Sequence, residues 1–198
     1  AAATVDLGDN EKLVRASEEA LKNAIDIIKP GITLGEIGKT IQETIQGHGF
    51  SPVKNLSGHA VGRFVFHGSP SIPNFNTNDL TRLEKGQVIA IEPFATNGMG
   101  VIYESGNANI YSQVADKPVR TIITRPVLSE ILKYREMPFT TRWLVKKFPL
   151  PKVNYALREL SQLDIIRSYP PLPERANGIV SQAEHTVIVD DPAIVTTK

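Results

Sequence analysis

The sequence contains no cysteine, only two methionines and one tryptophan, and no long apolar run. Without cysteine, disulfides, thiolate zinc sites, iron–sulfur clusters and cysteine nucleophiles are all excluded, so any metal must be held by histidine and carboxylate. No stretch approaches the roughly 20 apolar residues of a membrane span, and the first residues have no cationic flank followed by an apolar core. The sequence therefore predicts a soluble, cytoplasmic protein that does not contact a membrane.

The chain also has no excess of one charge. Lys and Arg number 22 against 21 Asp and Glu, a formal net charge of +1, which does not indicate a polyanionic partner for the whole chain. The charge is local, because residues 125–175 hold ten basic and five acidic residues, a net +5, which leaves −4 elsewhere. With 198 residues, 41% of them hydrophobic, the chain is long enough to bury a core.

Two amphipathic helices are predicted near the start of the chain. Apolar residues recur every three or four positions from Glu11 to Ile28, after the possible N-caps Asp9 and Asn10 and before the stop at Pro30-Gly31. Thr33 and Glu36 have the spacing of a capping box, which predicts a second helix that ends at Gly47.

The rest of the chain alternates between strand-rich and helical regions. Short β-branched runs between residues 51 and 119 predict a sheet, and residues 176–198 return to the same pattern. Residues 125–175 between them predict three helices and a ribbon, so we expect an α+β fold with a sheet domain over 1–124 and 176–198 and a winged-helix-like helical insert over 125–175. The predicted strands are Val61–Phe66, Gln87–Ala95, Val101–Tyr103, Ile110–Val114, Ile179–Val189 and Ala193–Thr197, and the predicted helices are Val127–Tyr134, Phe139–Phe148 and Lys152–Asp164.

Several polar residues interrupt apolar strands. Glu92 lies in a run from Val88 to Phe94 that is apolar enough to be buried on both faces, where an ionised carboxylate needs a cation or hydrogen-bond donors nearby. Glu184 lies in a similar strand, and the even separation of His59 and His67 could place both on one face of a strand. Carboxylates and imidazoles together suit Mn, Fe, Co or Zn, although a solvated glutamate and hydrogen-bonded structural histidines fit the same residues.

Four segments, taken in order, resemble type II methionine aminopeptidases of the archaeal branch. The resemblance also covers Pro138-Phe139, Arg142 to Leu144 and the turn from Tyr169 to Leu172, so it spans essentially the whole chain. It implies a pita-bread fold, in which two αβ halves surround a central metal site. The four segments are Asn55-Leu56-Ser57-Gly58-His59, His67-Gly68-Ser69-Pro70-Ser71-Ile72-Pro73-Asn74, Ala90-Ile91-Glu92-Pro93-Phe94-Ala95-Thr96 and Gln182-Ala183-Glu184-His185-Thr186.

The resemblance implies an activity and the residues that perform it. His59, Glu92 and Glu184 match three of the family's five ligands to two divalent ions (Co, Mn, Fe or Zn), which activate water to remove the N-terminal methionine of nascent proteins. Glu92 would also move protons, and His67 would hydrogen-bond the scissile amide region of the substrate peptide. The pocket for the methionine side chain would be formed by Phe66, Ile72 and Tyr169.

The family's pattern is incomplete in this sequence. Two aspartate ligands and a histidine would precede the stretch that matches Thr4 to Gly8, and Asp6 and Asp9 lie too late to replace them. Ala183 stands where the family has an aromatic residue. Three ligands are too few for two divalent ions, so we expect this chain to be inactive alone. A companion chain that supplies the missing segment, a fragment and a pseudoenzyme all stay open as explanations.

A second class of function is binding without catalysis. In this alternative the chain is an inactive pita-bread relative that binds a ribosome, RNA or a protein. The predicted helix Lys152–Asp164 has the position of a recognition helix, but its few base-reading side chains disfavour specific DNA binding. Electrostatic contact between the basic insert and ribosomal RNA would suit an enzyme that acts on nascent chains.

The two remaining histidines, His48 and His185, match no catalytic position of the family and are predicted to be structural.

Overall fold

The computed structural model describes residues 1–197, which form two compact units. Unit 1 contains residues 1–62, 67–103 and the chain from Pro173 onward, and unit 2 contains residues 63–66 and 104–172. None of the helices in the described part of the chain is long and apolar enough to cross a membrane.

Two helices cover one face of the sheet in unit 1. Helix α1 (Glu11–Asp26) buries its apolar stripe, and helix α2 (Leu34–Gly47) begins at the predicted capping box. The Thr33 hydroxyl accepts from the Glu36 amide at 3.2 Å, and the Glu36 carboxylate accepts from the Thr33 amide at 2.9 Å. These reciprocal bonds satisfy two amides that the helix itself leaves unpaired, which fixes where α2 begins.

The sheet of unit 1 has eight strands, in the order β2-β6-β10-β5-β3-β4, with β1 and β11 both paired to β10. Strand β10 therefore pairs with four others, all antiparallel: β5 and β6 on one edge and β1 and β11 on the other. The core between sheet and helices is aliphatic, with Ile37, Ile41, Ile89 and Val187 fully buried. The strands are β1 (Ala2–Ala3), β2 (Ser51–Pro52), β3 (Ser57–Gly62), β4 (Val65–Pro73), β5 (Val88–Ile91), β6 (Phe94–Thr96), β10 (Val180–Ile188) and β11 (Ile194–Val195).

Unit 2 combines a small sheet with short helices. Its three strands run in the order β8-β7-β9 and its core is centred on Phe139, which stacks on Tyr111 and Tyr134. The buried carboxylate of Glu130 is neutralised by the ammonium groups of two lysines, Lys133 at 2.8 Å and Lys147 at 2.6 Å. The elements are β7 (Ile110–Gln113), α3 (Arg125–Ile131), a 3₁₀ turn (Leu132–Tyr134), β8 (Phe139–Thr140), α4 (Thr141–Val145), α5 (Leu150–Gln162) and β9 (Ile166–Tyr169).

The structure divides two of the predicted strands. The run Val61–Phe66 is not one strand but the tip of the β3–β4 hairpin, where Phe64 adopts a left-handed backbone with φ of 60°. The run Gln87–Ala95 breaks after Ile91 into β5 and β6, at Glu92-Pro93, because proline has no amide hydrogen for the ladder.

The boundaries of unit 2 also differ from those predicted for the insert. The insert was predicted over 125–175, whereas the main segment of the unit runs from Glu104 to Leu172 and includes β7, the central strand of its sheet. The last residue of the predicted sheet domain, 198, lies outside the described residues.

Candidate active site

A histidine and a carboxylate meet directly where β3 and β5 run side by side. His59 on β3 lies opposite Ala90 on β5, and Glu92 is the first residue after the end of β5. The Nε2 atom of His59 lies 3.0 Å from Oε1 of Glu92, and each side chain is only 13% exposed. The other ring nitrogen, Nδ1, donates to the Ala60 carbonyl at 3.0 Å, because a carbonyl oxygen can only accept. The predicted pair of residues is therefore assembled by the sheet.

The surroundings of His59 favour its protonated form. The hydrogen bond to Glu92 raises the pKa of His59 above its ordinary value of 6.5 and outweighs burial, which lowers it. The Ala60 carbonyl and the negative charges of Glu92 and Glu184 raise the same pKa further. Two carboxylates thus act on one imidazole, which is an environment that also attracts cations.

Glu184, the third predicted ligand, acts on His59 through its charge. It lies on β10 opposite Ala2 of β1, and its Oε1 atom lies 3.4 Å from the amino nitrogen of Ala1. Among residues 1–197, no group of three or more His, Asp or Glu side chains is close enough to hold a metal ion. The donor types of His59, Glu92 and Glu184 suit a divalent metal, but the described chain provides only part of a ligand shell.

His67 lies next to His59, but not for the predicted reason. The two residues occupy adjacent strands of the β3–β4 hairpin instead of one face of a single strand. Their rings are edge to face with centroids 4.5 Å apart. Ile72, further along β4, is fully buried in the core of unit 1.

The remaining residues predicted to bind substrate belong to unit 2. Phe66 is 42% exposed at the start of β4. Tyr169 ends β9, and its hydroxyl is 2.9 Å from the hydroxyl of Ser112. The assignment of Phe66 and Tyr169 to the methionine pocket stays a prediction.

The two histidines predicted to be structural make contacts with other groups. Nε2 of His48 is 2.8 Å from the Glu19 carboxylate, which joins the end of α2 to α1. Nδ1 of His185 is 3.2 Å from the Thr197 hydroxyl.

One contact of the site was not predicted. The side-chain amide of Gln182 on β10 donates to Oε2 of Glu92 at 3.1 Å. Gln182 belongs to a segment that carries the resemblance, and strand alternation places it on the same face as Glu184. That alternation is the signal from which a shared neighbourhood could have been predicted.

Comparison with known proteins identifies the family and the fold. Residues 1–190 match the profile of Metallopeptidase family M24. The chain is 45% identical to a methionine aminopeptidase of Archaeoglobus fulgidus, and the alignment covers 100% of this chain and 67% of that protein. It is 46% identical to a methionine aminopeptidase of Thermococcus onnurineus, and that alignment covers 96% of this chain and 65% of the relative. It therefore spans about two thirds of the length of these relatives.

Solved structures support the same architecture. A thermophilic Arx1 aligns with a TM-score of 0.75 at 13% identity, covering 93% of this chain and 58% of that one. A methionine aminopeptidase from Thermotoga maritima aligns with a TM-score of 0.56 at 24% identity, covering 95% and 51%. At these identities the likeness concerns the fold alone, which is the predicted pita-bread fold.

Proposed function

This chain belongs to metallopeptidase family M24, and from that membership we propose that it forms the larger part of an enzyme that removes the N-terminal methionine from proteins. The observation that carries the proposal is the buried His59–Glu92 pair, because a binding scaffold has no need for two ionisable groups in apolar strands. Relatives at 45% and 46% identity named methionine aminopeptidase support the substrate class, an N-terminal methionyl peptide.

We propose that His59, Glu92 and Glu184 contribute ligands to two divalent ions, which would be Co, Mn, Fe or Zn. When bound, such ions supply Lewis-acid activation of water and of the scissile carbonyl. The imidazole and the two carboxylates have the right donor chemistry, and each of the three side chains is largely shielded from solvent. Two aspartates and a histidine would come from a segment equivalent to the third of the relatives that this chain does not span, in the same protein or in a companion chain.

The remaining roles are assigned to groups of this chain. Glu92, buried beside His59, would accept and return a proton during peptide cleavage. His67, whose ring contacts that of His59, would hydrogen-bond the scissile amide. Phe66 and Tyr169, both in unit 2, would bind the methionine side chain, an apolar thioether that suits aromatic surroundings. Ile72 was predicted to share this role, but it is fully buried in the core of unit 1 and has no surface with which to touch a substrate.

The test is reconstitution. The chain is mixed with a polypeptide carrying the N-terminal third of the Archaeoglobus fulgidus relative, Mn²⁺ or Co²⁺ is added, and free methionine released from a Met-Ala-Ser peptide is measured. We expect release that His59→Ala and Glu184→Ala abolish. His48→Ala is the matched control and should retain activity, because the ring of His48 binds Glu19 on α1 and not the residues of the proposed site. Unchanged turnover in either ligand variant would refute the ligand assignment.

We propose the ribosome as a second partner, and a cluster of Arg63, Phe64 and Arg135 in unit 2 supports this proposal. The guanidinium groups of Arg135 and Arg63 lie over the ring of Phe64, 4.8 and 5.5 Å from its centroid. Unit 2 contains 12 basic and six acidic residues. Aromatic and guanidinium groups together suit RNA, where bases stack and phosphates attract charge. The order of helices and strands over 125–169 also agrees with a winged-helix-like module.

Ribosome co-sedimentation tests this contact. Binding should fall steeply between about 50 and 200 mM salt, and Arg63→Ala with Arg135→Ala should weaken it. The control removes two exposed charges from unit 1 instead, Lys12→Ala with Lys54→Ala. Equal weakening by both pairs would mean that the contact is non-specific.

The alternative function, a catalytically inactive relative that only binds a partner, is disfavoured by the buried His59–Glu92 pair.

A further inference from the structure

Both oxygens of the Glu92 carboxylate are engaged by side chains from different strands. Oε1 contacts Nε2 of His59 on β3 at 3.0 Å, and Oε2 accepts from Nε2 of Gln182 on β10 at 3.1 Å. A carboxylate held by one hydrogen bond can still rotate about its last side-chain bond. Two donors on opposite oxygens fix the plane of the carboxylate as well as its position.

Gln182 is itself held firmly. The hydroxyl of Thr4 donates to the Gln182 carbonyl at 2.8 Å and accepts from the Gln182 amide at 2.8 Å. On the opposite edge of the strand, Gln182 lies in register with Phe94 of β6. The next residue, Ala183, donates its amide to the carbonyl of Pro93 at 3.3 Å, so the strand is bonded directly to the segment that carries Glu92.

The chemistry of an amide suits this position. The Nε2 group of glutamine is a donor only, and it neither titrates nor binds a cation, so it can orient a carboxylate without competing for its proton or for a metal. A glutamate at the same position would repel Glu92, and a lysine would neutralise it. Outer groups that orient ligands in this way control how well a site binds and works.

We propose that Gln182 is a positioning residue that sets the orientation of the Glu92 carboxylate toward His59, with Thr4 holding the Gln182 backbone in place. The inference rests on the proposed function for its catalytic consequence. Its structural content, that the His59–Glu92 hydrogen bond depends on Gln182, is independent of catalysis.

The decisive measurement therefore needs neither metal nor substrate. A ring N–H of His59 that is bonded to a carboxylate gives a downfield proton resonance in NMR spectra of the 198-residue chain. We expect this resonance to weaken or disappear in Gln182→Met, which keeps the unbranched shape but removes the donor. Gln46→Met, at an exposed position of α2, is the matched control and should retain it. An unchanged resonance in Gln182→Met, or its absence from the unsubstituted chain, would overturn the inference.

Two further variants guard against misfolding. Gln182→Asn keeps the amide but is one methylene too short to reach Oε2, so it should behave like Gln182→Met. Thr4→Val removes both hydroxyl bonds to the Gln182 backbone and should give a smaller loss in the same direction. If Thr4→Val has a larger effect than Gln182→Asn, Thr4 and not Gln182 is the orienting residue and the inference is wrong.

The reconstituted enzyme tests the catalytic consequence. Gln182→Met should lower kcat and Co²⁺ affinity about 10- to 100-fold while KM for the peptide changes little, because the side chain of Gln182 acts through its hydrogen bond to Glu92. A wild-type mixture that releases no methionine refutes the proposed function but leaves the NMR result to decide the positioning role. Wild-type kcat and Co²⁺ affinity in Gln182→Met would refute that role.

Discussion

Alanine in place of Gly58 tests how closely β3 and β5 must approach to bring His59 to Glu92. A Cβ atom at position 58 would lie 2.2 Å from the carbonyl oxygen of Ala90 and 3.2 Å from Cβ of Ile72. Ordinary contacts begin at 3.4 Å, so the strands must separate by about 1 Å. Overpacking of this kind costs about 1 to 3 kcal/mol, and we expect the upper half of that range because a sheet carbonyl cannot rotate away.

The free energy of unfolding from urea titrations, followed by far-UV circular dichroism, measures this cost. Amide hydrogen exchange in β3 and β5 then localises the loss, because dichroism averages over both units. Gly47→Ala is the matched control, since a Cβ there meets nothing within 4 Å, and it should be neutral or stabilising by up to about 1 kcal/mol. If Gly58→Ala is as stable as Gly47→Ala, the argument from close strand approach is refuted.

Three more predictions concern stability and pH. Phe139→Ala should destabilise unit 2 by about 3 to 5 kcal/mol, because Phe139 is only 1% exposed and lies in an aromatic stack. The fluorescence of Trp143 during unfolding measures this loss, and a loss below about 1 kcal/mol would contradict the packing. Thr33→Ala should cost about 1 kcal/mol in urea titrations whereas Thr33→Ser costs little, and equal losses would exclude the capping bonds. Hydrogen bonds from Lys133 and Lys147 lower the pKa of Glu130 below its ordinary 4.5. The stabilisation from the ionised Glu130 carboxylate is therefore complete above pH 4.5 and is lost as the pH falls through the lower pKa of the folded state. The urea midpoint of unfolding, followed by Trp143 fluorescence, should therefore decrease in the wild type as the pH is lowered below 4.5, and it should decrease less in Glu130→Gln. Parallel pH profiles of the two proteins would exclude a stabilising role for the ionised Glu130 carboxylate.

Local signals in the sequence were sufficient for the helices of unit 1. The capping box at Thr33 and Glu36 predicts the start of α2 because both partners lie within one turn of the chain. Strands were predicted less well, because their ends depend on turns. The hairpin tip at Arg63 and Phe64 lacks the Asn-Gly or Asp-Gly pair that signals such a turn, and a left-handed phenylalanine is not predictable from its side chain. The break at Pro93, by contrast, could have been predicted.

The site shows the same division between local and distant information. Glu92 stands out in the sequence because a charge interrupts an apolar run, and the family resemblance pointed to His59. Their direct contact depends on the register of β3 against β5, which joins segments about 30 residues apart. Strand alternation could have placed Gln182 on the face of Glu184, but its contact with Glu92 was missed because the two residues are 90 positions apart in the sequence.

The late position of β10 in the chain has a consequence for synthesis. The four strands that pair with β10 include three that leave the ribosome before the main segment of unit 2, while β10 itself follows that segment. At a translation rate of roughly 5 to 20 residues per second, β6 waits on the order of ten seconds for its partner, with open hydrogen-bonding edges in the interval. A nascent chain arrested before residue 180 should thus contain all the strands and helices of unit 2 but lack the strand that joins the sheet of unit 1.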